Sequence, residues 1–261
     1  MAANLAPVRK VGISGQLMDR SPQRIPKIVH QLWKNEAVPA RWAHAVQSVK
    51  RYHPGWEYRL WTDGMMDDYI RTEHPDLYPV YRGFSRHIMR VDVFRYALMH
   101  DFGGLYCDLD FEFLRPYDYA DTQVVLSLER DEAYGDPCSG IANFILASVP
   151  QHPFWADVLD DVKAHPPVFD AIAEIPAVTG PGLVSRVFFA NQHRYEGVVL
   201  TPQPTFSPRR LHGRFERKIY LNSGVTYGFH HGWGAWKERW RWVYIGPKIK
   251  SLVAKYLGRN E

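Results

Sequence analysis

The stretch that decides the fold runs from Ser85 to Pro116. At its centre it reads Arg90-Val91-Asp92-Val93-Phe94-Arg95-Tyr96 and, after Phe102, Gly103-Gly104-Leu105-Tyr106-Cys107-Asp108-Leu109-Asp110. Ile88, Val91 and Leu98 recur at helical spacing, and the opposite side of that helix carries Asp92, Arg95 and Met99 at i, i+3 and i+7. A carboxylate and a guanidinium therefore share one face. The glycine pair 103–104 stops the helix. Leu105 to Asp110 then reads as a short strand, in which alternation with period two sends Asp108 and Asp110 to the same side. Two carboxylates on one face need a counter-charge, and oxygen ligands of this kind suit Mn²⁺ or Mg²⁺, ions that bridge protein carboxylates to a substrate's phosphates.

Upstream, Ile25-Pro26-Lys27-Ile28-Val29-His30-Gln31-Leu32-Trp33 reads as a buried strand with a polar end. A helix follows Pro39, on the spacing of Trp42, Val46 and Val49, and Trp56 to Trp61 is a second strand closed by Thr62-Asp63-Gly64. Strand, helix, strand opens an α/β nucleotide-binding unit. Neither GxGxxG nor GxxxxGK[ST] is present, which excludes a dinucleotide fingerprint and a P-loop. Downstream the sequence predicts a strand at Val124 to Leu128, a loop from Asp131 to Gly140, an apolar segment Ile141 to Val149 and a helix over Phe154 to Val162. A Gly/Pro loop from Pro176 to Gly182 precedes a helix Leu183 to Phe189, and strands at Val198 to Leu200 and Val225 to Phe229 are expected to complete the sheet.

The 261 residues, 46% hydrophobic and 23% charged, fit one globular domain with an appendage at each end. These are a leader over residues 1–24, a catalytic body over 25–245 and a basic amphipathic helix over 246–261, opened by Pro247 and striped by Ile249, Leu252, Val253, Tyr256 and Leu257. No run is apolar enough for a membrane span and residues 1–20 lack a signal-peptide core, so neither an integral nor an exported protein is expected. Cys107 and Cys138 are expected to be reduced thiols, too few for a zinc ribbon. The net charge of +4 is concentrated in the tail, where Lys237, Arg239, Arg241, Lys248, Lys250, Lys255 and Arg259 face Glu238 and Glu261. The body is close to neutral.

Other readings of the acidic pair fail on spacing. An EF-hand beginning at Asp108 would need Gly and Glu where Phe113 and Tyr119 stand. A phosphatase of the Asp-x-Asp-x-Thr type would want Thr or Val at Glu112. A carboxylate-pair glycoside hydrolase draws its acids from separate elements on either side of the scissile bond, about 5–9.5 Å apart. A non-catalytic basic module binding lipid or nucleic acid would spread its positive charge over the body, so no nucleic-acid partner is expected.

The whole phrase from Arg90 to Asp110 resembles the sugar-binding region containing the DXD motif of glycosyltransferase family 32. That group includes yeast-type mannosyltransferases and bacterial polysaccharide and glycolipid glycosyltransferases, and is more distantly similar to the clostridial glucosylating toxins. Ile25 to Lys34 looks like the family's first strand, and Tyr227-Gly228-Phe229-His230-His231-Gly232-Trp233-Gly234-Ala235-Trp236 is similar to its terminal His and Ser-Trp element, with Ala235 where the family commonly has Ser. The resemblance implies a GT-A fold, a Rossmann-like nucleotide-sugar-binding sheet with flanking helices in a single domain. It implies catalytic roles for Asp108, Asp110, Asp92 and Arg95, donor binding by Gln31, Trp33, Trp61, Tyr106, Asn143, His230 and Trp236, and a metal held by Asp108, Asp110 and His230. Thr179-Gly180-Pro181 looks like a family loop that lines the acceptor site.

The implied reaction is metal-dependent transfer of a hexose, with retention, from a nucleoside-diphosphate sugar to a glycolipid or polysaccharide. The donor is expected to be a UDP-sugar or, second, GDP-mannose. Trp233, Trp236, Trp240 and Trp242 beside Arg239 and Arg241, followed by the basic helix, are expected to dock the enzyme peripherally on an anionic membrane at its cytoplasmic face.

Overall fold

A computed structural model describes residues 24–129, 140–166, 175–208 and 216–232. The leader up to residue 23, Cys138, Trp236 and its neighbours, and the basic tail helix lie outside these residues. The chain begins with β1 (Ile28–Leu32), α1 (Ala43–Tyr52), β2 (Glu57–Trp61), α2 (Asp63–Glu73), α3 (Tyr78–Gly83) and α4 (His87–Asp101). It continues through β3 (Gly104–Cys107), β4 (Phe111–Phe113), β5 (Val124–Ser127), β6 (Ile145–Ser148), α5 (Pro153–Ala164), α6 (Ile175–Val178) and α7 (Pro181–Asn191). The last elements are β7 (Val198–Thr201), α8 (Gln203–Phe206), α9 (Arg217–Asn222) and β8 (Gly228–His230).

Six strands form one mixed sheet in the order β2-β1-β3-β6-β5-β7. β1 lies parallel to β2 and β3, β7 lies parallel to β5, and β6 runs antiparallel to both its neighbours. The order places the C-terminal ends of β1 and β3 side by side, with Gln31 near the end of one and Cys107 ending the other, so whatever follows β3 lies at the mouth of the parallel half. Helix α4 packs against β3, β6, α5, α2 and α3. It is not the two-faced helix expected: every residue from Asp92 to Met99 is buried, the charged pair included. Flanking layers cover both sides, so the polar face looks into the site and not into solvent.

The turn between α4 and β3 depends on its glycines. Gly103 and Gly104 have φ of +60° and +82°. A side chain at Gly103 would run into the Ser148 carbonyl, and one at Gly104 would meet the Ile28 carbonyl at 2.5 Å. Only glycine permits this approach of helix end to sheet.

Four expectations need correction. The strand carrying the acidic pair ends at Cys107, and Asp108 to Asp110 form a turn closed by the Phe111 amide donating to the Asp108 carbonyl at 2.9 Å. The last strand does not join the sheet. β8 pairs antiparallel with β4 as a separate ribbon, in the register Phe111↔His230, Glu112↔Phe229 and Phe113↔Gly228, and residues 225–227 lie outside any strand. Pro176 sits within α6, which leaves Thr179-Gly180 as the turn into α7. Thr62 does more than end a strand, because its hydroxyl caps α2 by accepting from the Met65 amide at 3.4 Å. Among the described residues no helix is long and apolar enough to cross a membrane.

Candidate active site

Helix α4 supplies the closed part of the site. One turn apart, Asp92 and Arg95 form an ion pair at 3.1 Å, with both side chains almost wholly buried. Burial of a carboxylate is tolerable only with its lone pairs satisfied. Asn143 Nδ2 donates to Asp92 Oδ1 at 3.0 Å, and the Thr179 hydroxyl donates to Asp92 Oδ2 at 3.2 Å. Tyr96 locks the surroundings by donating to the Thr179 carbonyl at 2.7 Å while accepting from Asn143 at 3.2 Å. Burial pushes the Asp92 carboxyl up to about 7 against the opposing pull of Arg95. For Arg95, desolvation is overcome by Tyr106, Asp108 and Asp92, so the guanidinium stays charged.

Arg95 also joins the two parts of the site. Its Nη1 donates to the Asn143 carbonyl at 2.5 Å and lies 3.4 Å from Asp108 Oδ1, and the guanidinium sits 4.8 Å over the Tyr106 ring. The Tyr106 hydroxyl donates to the same Asp108 oxygen at 2.6 Å. Gln31 fixes the backbone beneath: its amide donates to the Asp108 carbonyl at 3.2 Å and accepts from the Tyr58 hydroxyl at 2.8 Å.

The open part lies at the turn and the ribbon. Because β8 pairs with β4, His230 comes back over the turn, and its Nε2 stands 2.9 Å from Asp110 Oδ1 and 3.5 Å from Asp108 Oδ2. The imidazole stacks on Phe144 at 4.5 Å, and the Asp110 carbonyl accepts from the His231 amide at 3.0 Å. Burial disfavours the imidazolium, but Asp110 and Asp108 outweigh that and raise the His230 pKa. One ligand atom from each of Asp108, Asp110 and His230 falls within 4.8 Å of the others. Two carboxylates and one imidazole form an O,O,N donor set that suits Mn²⁺ and accommodates Mg²⁺.

Asp92, Arg95, Tyr106, Asp108, Asp110, Asn143 and His230 are therefore brought together. Gln31 lies beneath the turn as a support for its backbone. The contacts of Trp33 lie outside the cluster: its indole donates to the Ala37 carbonyl at 3.1 Å and packs edge-on against Trp42. Trp61 is not brought to the cluster. It is buried among Tyr69, Phe94 and Phe102 and donates to His30 Nδ1 at 3.1 Å. Trp236 lies outside the described residues. Sequence reasoning missed Tyr96 and Phe144 as supports, and the structure gives Thr179 a place against Asp92. Tyr96 adjoins Arg95 and Phe144 adjoins Asn143, so adjacency to a motif residue was the signal available.

Residues 39–127 match the family described as glycosyltransferase sugar-binding region containing DXD motif. The chain is 32% identical over 178 residues to the mannosyl phosphorylinositol ceramide synthase CSH1 of Saccharomyces cerevisiae, covering 68% of this chain and 46% of that protein. It is 33% identical over 144 residues to inositol phosphoceramide mannosyltransferase 1 of Schizosaccharomyces pombe, covering 54% of this chain and 44% of that one. The chain thus spans less than half the length of these relatives. Among solved structures it is similar to the PaToxG glycosyltransferase, with a TM-score of 0.50 and 13% identity over 65% of this chain and 71% of that one. The architecture is the GT-A fold, and the run from Arg90 to Asp110 falls inside the matched segment. By sequence, residues 39–127 of this chain carry the sugar-binding region containing the DXD motif of the glycosyltransferase family that its motifs resemble.

Proposed function

We propose that the protein is a divalent-cation-dependent mannosyltransferase that moves mannose from GDP-mannose to the inositol-phosphate headgroup of a sphingolipid. The observation that carries the reading is the convergence of Asp108, Asp110 and His230 beside the buried Asp92–Arg95 pair. The fungal relatives are named for mannosyl transfer to inositol phosphoceramide, which supports mannose, and with it GDP-mannose over the UDP-hexose that the sequence favours, and a glycolipid over a polysaccharide.

Asp108, Asp110 and His230 would hold the cation, and when bound it would supply positive charge to offset that of the departing diphosphate. Arg95, clamped by Asn143 and Tyr106, keeps a fixed positive charge next to Asp108, where it costs no reorganisation as charge develops on the leaving group. Asp92, held by Asn143 and Thr179, fixes the Arg95 guanidinium in that place. Transfer with retention has the acceptor hydroxyl attack on the face from which the diphosphate leaves, so its proton passes to the departing phosphate oxygen. The basic amphipathic tail supports peripheral docking at the cytoplasmic face of an anionic membrane, at about 1 kcal/mol for each basic residue near the surface.

The test is donor hydrolysis and thermal shift across GDP-mannose, UDP-glucose and UDP-galactose, with Mn²⁺ or with EDTA. A response to GDP-mannose that needs Mn²⁺ is expected. A metal-independent response, or one confined to a UDP-sugar, overturns the corresponding part of the proposal. Removing residues 246–261 should release the protein from anionic vesicles while sparing donor hydrolysis, and unchanged vesicle binding would take the tail out of the account.

A further inference from the structure

The β4–β8 ribbon has two faces, and the donor chemistry uses only one. Phe111 and His230 are paired in register and face the sheet and the acidic turn. On the other face lie Glu112, Phe229 and, two residues beyond Phe229, His231, with α1 packed over β4. There the Glu112 carboxylate, with a side chain only 5% exposed, points between two imidazoles. Its Oε2 is 3.1 Å from His231 Nε2 and 3.4 Å from Nε2 of His44, which comes from α1. The two rings stand edge to face at 5.4 Å, and His231 is braced by Phe229 at 4.7 Å. The other carboxylate oxygen, Oε1, is taken by Arg217 at 2.9 Å.

We propose that His44, Glu112 and His231 form a second divalent-cation site, of zinc-binding character, separate from the acidic turn. The three ligand atoms all fall within 4.8 Å of one another. Zinc bonds of roughly 2.0–2.1 Å put tetrahedral ligand atoms about 3.3 Å apart, and the two measured separations to Oε2 bracket that value. The donor set also differs from its neighbour's. Two imidazoles and one carboxylate suit a borderline cation such as Zn²⁺, whereas two carboxylates and one imidazole suit Mn²⁺ or Mg²⁺. Arg217 completes a recognisable outer shell: by binding Oε1 it fixes the carboxylate so that Oε2 alone faces the imidazoles. Three protein ligands leave one position open. The ligands come from α1, β4 and the residue just after β8, so a cation there would tie the helix to the ribbon that brings His230 over the acidic turn.

The site is tested on the untagged 261-residue chain carrying Asp110→Ala, which removes one ligand from the first cluster. Co²⁺ is titrated and followed by its visible d–d absorption, Zn²⁺ is used to displace it, and bound Zn²⁺ is counted by elemental analysis after dialysis. Expected are one Zn²⁺ per chain and a Co²⁺ spectrum of low-coordinate intensity that Zn²⁺ abolishes. His44→Ala, at a side chain that is half exposed, should weaken Co²⁺ binding by at least about tenfold with the near-UV circular dichroism unchanged. Glu112→Gln should do so more strongly, with near-UV circular dichroism confirming its fold. A folded chain that takes up no stoichiometric Zn²⁺, or whose affinity is unchanged by His44→Ala, overturns the proposal and leaves an ion-pair network centred on Glu112.

Discussion

The two parts of the candidate active site are built on opposite principles. Around Asp92 every polar partner is supplied from within: Arg95, Asn143, Thr179 and Tyr96 close a buried network whose carboxylate has a contact at each oxygen. Around Asp108 and His230 the described residues stop short of closure. Among the described residues two carboxylates meet a single imidazole, and Asp108 and His230 each remain about one quarter exposed. The closed part is a positioning device, already assembled before anything binds. The open part is a receptor for positive charge. Substitutions in the open part should therefore cost activity before stability, and substitutions in the closed part should cost stability first.

The sharpest test of that contrast is Asp110→Ala. Removing a ligand of the proposed cation should lower donor hydrolysis by about 10²–10³-fold, the range found when one preorganised stabilising group is lost, while the melting temperature falls only by what the ion pair with His230 contributes. Turnover within a few-fold of wild type would break the assignment. Mn²⁺ itself gives the second test. At a hundred times its Kd it should stabilise the wild-type chain by about 2.7 kcal/mol through mass action, and that gain should vanish in Asp110→Ala. An equal gain in both chains would place the Mn²⁺ elsewhere.

In the closed part the prediction reverses. Asn143→Leu removes the donor shared by Asp92 and Tyr96, and Thr179→Val removes the donor to the second oxygen of Asp92. Each leaves a buried acceptor short of a partner, at about 1–3 kcal/mol measured by denaturant unfolding. A change below about 0.5 kcal/mol in either chain would mean that Asp92 is solvated in a way the closed network does not allow.

The sequence showed some of this plainly and hid the rest for physical reasons. The Asp92/Arg95 spacing, the glycine stop and the acidic pair are local patterns, set by helix pitch and turn sterics, and local patterns survive translation into sequence. The β4–β8 pairing joins residues more than a hundred positions apart, and alternation in Val225 to Phe229 says nothing about which strand it will meet. Hence the last strand was assigned to the wrong sheet, although His230 was still matched by its motif. Trp61 shows the converse. An aromatic residue at a strand end beside the site invites a reading as a stacking platform, but here its indole is turned inward among Tyr69, Phe94 and Phe102, a choice that depends on packing and leaves no mark in the spacing. The acidic pair reached the same cluster by a turn and not by strand alternation. The right grouping therefore rested on a wrong mechanism.

Gln31 supports the open part from beneath the turn, and it supplies the finest test. Its amide nitrogen holds the Asp108 carbonyl while its oxygen accepts from Tyr58, so the orientation of the amide is set from the side away from the turn. Tyr58→Phe keeps the ring, which lies 4.1 Å from the Lys50 ammonium, and deletes only the hydroxyl. The direct loss is one hydrogen bond, about 0.5–1.5 kcal/mol of stability. With its oxygen released, the Gln31 amide is free to rotate, and the Asp108 backbone loses a fixed donor. The expected signature is a donor KM that rises a few-fold at nearly constant kcat, because the groups that stabilise the departing diphosphate remain present but are held less firmly in the ground state. A lowered kcat with KM unchanged would instead show that the turn's placement matters only as the bond breaks, and would move Gln31 from the support of donor binding to the support of the reacting geometry.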